Sequence, residues 1–114
     1  MNSITFKNKL KTAPKTIAFS ETMDVIAAHY EFTPKAFTNG SLENAEGQNS
    51  GSCKLFAFAK AEGLSKAETL ACFGAFYFEE VLKDPDGDGH QNIRNFMKTG
   101  FEGLIFESFP LTKK

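Results

Sequence analysis

"SKAETLACFGAFYFEEVLKD", residues 65–84, is the stretch on which the fold turns. Ser65 and Glu68 form an S-x-x-E capping box, in which each side chain satisfies a backbone N–H that the first helical turn leaves free. Ala67, Leu70, Ala71, Gly74, Phe78, Val81 and Leu82 then fall along one helical stripe, and Phe73, Phe76 and Tyr77 widen it. The pattern predicts a central helix with apolar contacts around much of its girth. Gly74 inside it costs about 1 kcal/mol against alanine, so close approach of another helix is expected there.

Working back from this stretch, "CKLFAFAKA" (53–61) is apolar apart from its lysines and reads as a buried helix behind the polar loop "GQNSGS" (47–52). The segment "YEFTPKAFTNGSLENAEG" (30–47) is different in kind. Tyr30, Phe32, Thr33, Phe37 and Thr38 are strand-prone, Asn39-Gly40 signals a tight hairpin turn, and a short second strand over 42–45 completes a hairpin near residues 31–46. Pro34 confines the first strand to an edge or makes it irregular. Before it, Ser20 can cap a helix in which Met23, Ile26, Ala27 and Tyr30 share a face. Ser3 can cap a first helix ending before Pro14, with Ile4, Phe6 and Leu10 making apolar contacts. Working forward, proline and glycine in "DPDGDG" (84–89) break the chain. "HQNIRNFMKTG" (90–100) is a last helix with Ile93, Phe96 and Met97 inward and Gly100 as its C-terminal cap. The expected fold is α+β and mainly α, about five helices with the hairpin after the second, in a single domain over 1–114.

The bulk numbers narrow the function. A chain of 114 residues with 41% apolar residues is long enough to bury one core. Its 13 phenylalanines, without a tryptophan, predict a core of packed rings. A net charge of −1 argues against nucleic-acid or anionic-membrane partners. Two cysteines make no disulfide framework, and the expectation is two buried thiols in a reducing cytoplasm. No cofactor is expected. The first acidic residue is Glu21, and an acid-poor N-terminus is compatible with export.

Three groups of residues could carry chemistry. Asp84, Asp86 and Asp88, with Gly89, match the first half of a calcium loop, but Asn95 stands where the closing glutamate belongs. The mechanical alternative is that Asp84-Pro85 stops one helix, Asp86-Gly87 turns the chain and Asp88 caps the next helix. Cys53 sits near the predicted start of a helix, where a thiol can become a nucleophile. Gln48 upstream of it gives the segment a local likeness to papain-type proteases, and His29 or His90 would be the base. His90 and Arg94, four apart on the last helix, share a face with Asn92 and Asn95 nearby and could form an anion-binding corner.

"HYEFTPKAFTNG", "GSCKLFAFAKAEGLS", "TLACFGAFYFEEVL" and "HQNIRNFMKTG", in this order, resemble the HopJ (HopPmaJ) family, named after a type III effector of a plant-pathogenic bacterium. The resemblance covers residues 6–106. It implies no established catalytic activity. The family's polar positions fall here on His29, Tyr30, Asn39, Cys53, Lys54, His90, Asn92 and Arg94, and a turn with three aspartates is not part of its pattern. The expectation is a cytoplasmic protein, with export by a type III system as a further option. It would bind a protein or small molecule through His29, Tyr30, Asn39, Cys53, His90, Asn92 and Arg94. A thiol hydrolase using Cys53 and a calcium-binding module are the alternatives.

Overall fold

The computed structural model describes residues 2–114, with the side chain of Ser3 outside the described set. Five α-helices carry the fold: α1 (Ser3–Thr12), α2 (Phe19–His29), α3 (Ser50–Glu62), α4 (Lys66–Ala71) and α5 (Gln91–Thr99). Five short strands accompany them: β1 (Tyr30–Phe32), β2 (Phe37–Asn39), β3 (Leu42–Asn44), β4 (Leu104–Phe106) and β5 (Leu111–Lys113). The fold is α+β and mainly α, as the sequence predicts.

The centre is α3. Cys53, Leu55, Phe56, Ala57, Phe58 and Ala59 are all buried, so this stretch of helix is covered on every side. Phe56 packs its ring against Phe96 (4.8 Å between centroids), Phe73 (5.5 Å) and Phe37 (6.4 Å). Phe58 meets Phe6 and Tyr30 edge to face. Edge-to-face and offset ring pairs suit the aromatic quadrupole. Gly63, at a left-handed φ of +68°, closes the helix with its N–H on the Ala59 and Lys60 carbonyls.

The stretch expected to be the central helix is broken instead. The Ser65–Glu68 capping box forms in both directions, but α4 ends at Ala71. Gly74 adopts φ +60°, and a Cβ there would lie 2.7 Å from the Ile17 carbonyl oxygen. What approaches it is the backbone of residues 17–19, not another helix. The Cys72 carbonyl at the break accepts a hydrogen bond from the buried Thr22 hydroxyl (2.8 Å). Beyond the break comes a π-helical turn, Phe76–Val81, of which only Val81 is fully buried; Phe76 and the following Leu82 are exposed.

The hairpin is shorter than expected. β2 and β3 pair antiparallel with Asn39 opposite Leu42, so the two-residue loop is Gly40-Ser41 and Asn39 belongs to the strand. Of the two loop residues only Gly40 has a positive φ (+63°), the arrangement in which glycine fills the first loop position. Tyr30–Phe32 is no part of the hairpin: it pairs with the C-terminal β5, while β4 completes a sheet of order β3-β2-β4. Both C-terminal strands escape the sequence reading because three residues are too few for an alternation to declare itself.

Smaller corrections concern faces and caps. α2 buries Thr22, Val25 and Ile26, whereas Ala27 is exposed. It begins one residue before Ser20, and the Glu21 carboxylate accepts from the Ala18 N–H. Asn2 caps α1, where Phe6 and Leu10 are buried and Ile4 is exposed. Gly100 terminates α5, as expected, with its N–H on the Phe96 carbonyl.

Candidate functional site

Two helices begin beside one cleft, and both begin unusually. The N-cap of α3 is Asn49 (φ +52°) and that of α5 is His90 (φ +55°). They are the only non-glycine residues with positive φ among those described. An N-cap is normally extended and accepts N–H bonds through its side chain; neither of these side chains does so. Nor does Asp88 cap α5 with its carboxylate, as the sequence suggests it could. It lies before the cap, and its carbonyl accepts from the Gln91 side-chain amide (2.6 Å). The expected turn upstream is present, with the Gly87 N–H on the Asp84 carbonyl (3.0 Å).

The cleft between the two helix starts encloses about 450 Å³. Phe19, Phe73, Phe76, Leu42 and Ile93 supply apolar walls, and Asn49, Ser52, His90, Gln91 and Asn92 supply polar ones. His90 is doubly held: its Nε2 stands 2.9 Å from Glu80 Oε1, and its ring lies 5.4 Å from that of Phe76.

Adjoining the cleft is a buried amide network. Asn39 Nδ2 donates to the Asn92 carbonyl (2.7 Å) and to Asn92 Oδ1 (3.0 Å). Asn92 Nδ2 donates to Asn44 Oδ1 (3.0 Å), and Asn49 Nδ2 donates to the same oxygen (2.7 Å). Four asparagines thus tie the hairpin to the starts of α3 and α5. Asn39 Oδ1 is left buried without a partner.

The other expected residues lie elsewhere. Cys53 is the fourth residue of α3 and 1% exposed, with the Lys35 carbonyl 3.9 Å from its sulfur. Burial pushes its thiol up to about 11, and likewise pushes Cys72 up to about 12. Neither thiol has the lowered pKa of a nucleophile. Gln48 is occupied in its own turn, accepting from the Ala45 N–H.

His29 ends α2; its Nε2 is buried without a partner and its carbonyl accepts from the Lys114 N–H. Tyr30 donates its hydroxyl proton to Glu62 (2.5 Å), and burial followed by this carboxylate pushes the phenol up to about 12. Lys54 lies over the Phe32 ring. Arg94 is not among the residues lining the cleft and holds the carbonyls of Gly89 and Asp84. His29, Cys53, His90 and Arg94 therefore do not form one surface.

His90 and Asn92 meet at the cleft, and Asn39 joins it through Asn92. Among the described residues no group of three His, Cys, Asp or Glu side chains is placed to hold a metal ion. Asn44, Asn49, Ser52 and Phe19 were not legible as site residues. A signal existed for two of them: two-residue alternation puts Asn44 on the face of Leu42, and asparagine tolerates the left-handed region at Asn49.

A family model described as HopJ type III effector protein matches residues 3–111. The crystal structure of the "unknown function protein VPA0580" superposes with a TM-score of 0.97 at 52% identity, covering 100% of this chain and 95% of that one. No curated protein matches. Among the described residues no helix is long and apolar enough to cross a membrane.

Proposed function

We propose a function for a chain that belongs to the HopJ type III effector family: it is a binding module whose recognition surface is the cleft between the starts of α3 and α5. One observation carries this reading. Both non-glycine residues in the left-handed region, Asn49 and His90, line that cleft. Such conformations are uncommon outside glycine, although asparagine and histidine adopt them more readily than most residues, and where two of them meet at one cleft they mark a candidate ligand site. The cleft's volume lies in the range of small-ligand sites, and its mixture of apolar walls with a few fixed polar groups is what such sites use for affinity and orientation.

The group that fits is flat and partly polar. Phe76 and Phe19 offer ring surface, while Ser52, Asn49 and Gln91 offer hydrogen bonds. It could belong to a small molecule or to a side chain of a partner protein. The test is saturation-transfer NMR against a set of aromatic amide fragments, with wild-type protein and Phe76→Glu. Phe76 is 38% exposed, so the substitution leaves the core alone. Binding by wild type and loss in the variant support the reading. Equal binding by both sinks it.

Export by a type III system is proposed on the family match. A reporter fused behind the chain would be exported only from cells with a working type III apparatus. Equal export without the apparatus would dispose of the idea.

A further inference from the structure

A second groove runs between α5 and the end of the π-helical turn. It encloses about 420 Å³ and is lined by Val81, Leu82, Pro85, Met97, Arg94 and Lys98, together with Gly87 and Gln91. One wall is apolar, and Leu82 is 45% exposed on it. The other wall carries two cations one helical turn apart.

Arg94 is the only arginine of the chain, and its environment is unusual. Nε donates to the Gly89 carbonyl (2.5 Å) and Nη1 to the Asp84 carbonyl (2.9 Å). Two of its five N–H groups are thus used to fix the guanidinium against the loop. Among the described residues, no carboxylate oxygen stands within 4.0 Å of it. The side chain is half-buried. A partly desolvated guanidinium that is rigidly held yet makes no ion pair has its remaining donors free for an anion. Among the described residues Lys98 makes no ion pair either. Gly87 keeps the passage open: a Cβ there would collide with the Asp84 carboxylate and come within 3.0 Å of Arg94 Nη2. Asp84 Oδ2 and Arg94 Nη2 lie 2.1 and 3.0 Å from that one point, so the carboxylate stands within about 5 Å of the guanidinium, offsets part of its charge and has to turn aside for an incoming anion.

We infer that this groove binds a small amphiphilic anion, a single carboxylate on a short apolar chain, with the carboxylate on Arg94 and Lys98 and the chain along Leu82, Pro85 and Met97. Charge complementarity selects the head group and the apolar wall selects the tail. The groove shares only Gln91 with the cleft proposed above and does not depend on that reading.

The probe is octanoate, followed by amide chemical shifts in a titration of the full chain. Shifts should centre on Gly87, Arg94 and Met97 and saturate in the millimolar range or below. Arg94→Gln should weaken binding about tenfold or more, as expected for loss of a hydrogen bond to a charged group. Because that variant also frees the 84–89 loop, Leu82→Glu is the companion. It leaves Arg94 and its two carbonyls in place and sets a carboxylate in the groove, so octanoate binding should be lost with the loop's own amide shifts intact. Octanol should bind at least about tenfold more weakly than octanoate. No saturable binding, equal affinity for octanol, or binding that survives Leu82→Glu overturns the site. Shifts confined to Ser52, Phe76 and His90 also overturn it, while leaving the first cleft's role standing.

Discussion

The ring cluster around Phe56 and the amide network around Asn92 both join α3 to α5, and they do so by opposite means. Around Phe56 the contacts are dry and non-directional: four phenylalanines from β2, α3, α5 and the segment after α4 need only be apolar and of suitable size. Around Asn92 the contacts are directional, because a buried amide is costly unless its donors and acceptors meet partners. The first region tolerates adjustment; the second specifies the relative placement of the hairpin and the two helix starts. The candidate cleft borders both, with Asn49 and Asn92 of the network and Phe73 of the ring cluster in its walls.

Phe56→Ala should give the largest effect. It removes the hub of the ring cluster and should cost about 3–5 kcal/mol by urea denaturation. Little loss would mean that the rings can collapse into the space, and the contrast with the network would weaken.

Asn92→Ala should cost about 1–2 kcal/mol, since it removes the side-chain bonds to Asn39 and Asn44 while leaving Asn39 on the Asn92 carbonyl and Asn44 on Asn49. Hydrogen exchange gives the sharper readout. Protection should fall in β2 and β3 while α3 stays protected. Uniform loss would show that network and rings are one cooperative unit.

Gly74→Ala probes the break beside Phe73 and should cost about 1–2 kcal/mol from its left-handed φ alone. The approach of the Ile17 carbonyl adds to this. A neutral outcome in thermal melts would mean that the break after α4 is not imposed by Gly74.

At the far end of α3, burial alone would raise the Glu62 carboxyl. The hydrogen bonds from Lys7 and Tyr30, with the charges of Lys7 and Lys113, hold it below its ordinary value. A carboxyl depressed in the folded state contributes stability above its unfolded pKa and loses it as pH falls through the folded one. Glu62→Gln should therefore flatten the acid limb of the stability–pH curve below about pH 4.5. An unchanged limb would remove this group from the account. The smallest expected effect is at Cys53, on the dry side. At pH 8 iodoacetamide should label it only after denaturation, and rapid labelling of the folded protein would reopen thiol chemistry.

How far the sequence reached follows this same division. The capping box at Ser65, the C-cap at Gly100, the ring-rich core and the burial of both thiols were legible, because each depends on local spacing or on bulk apolarity. Asn92 was legible only as a neighbour of the expected His90–Arg94 pair, and the structure puts it, and not Arg94, beside His90 at the cleft. Gly74 misled, because a glycine within an apolar stripe reads the same whether it eases helix packing or permits a left-handed break. Arg94 misled in another way: a spacing of four puts it on the face of His90, but its tether to Asp84 and Gly89 draws it into the second groove.

By itself, then, the sequence determined the fold class, the extents of most helices and the family, since these rest on periodicity and on motifs within short windows. Tertiary structure alone decided that α3 and not residues 65–84 is the centre, that β1 pairs with β5, and that four asparagines spread over residues 39–92 share one buried network. Those outcomes depend on which distant groups satisfy one another's hydrogen bonds and fill one another's space, and no local pattern encodes that.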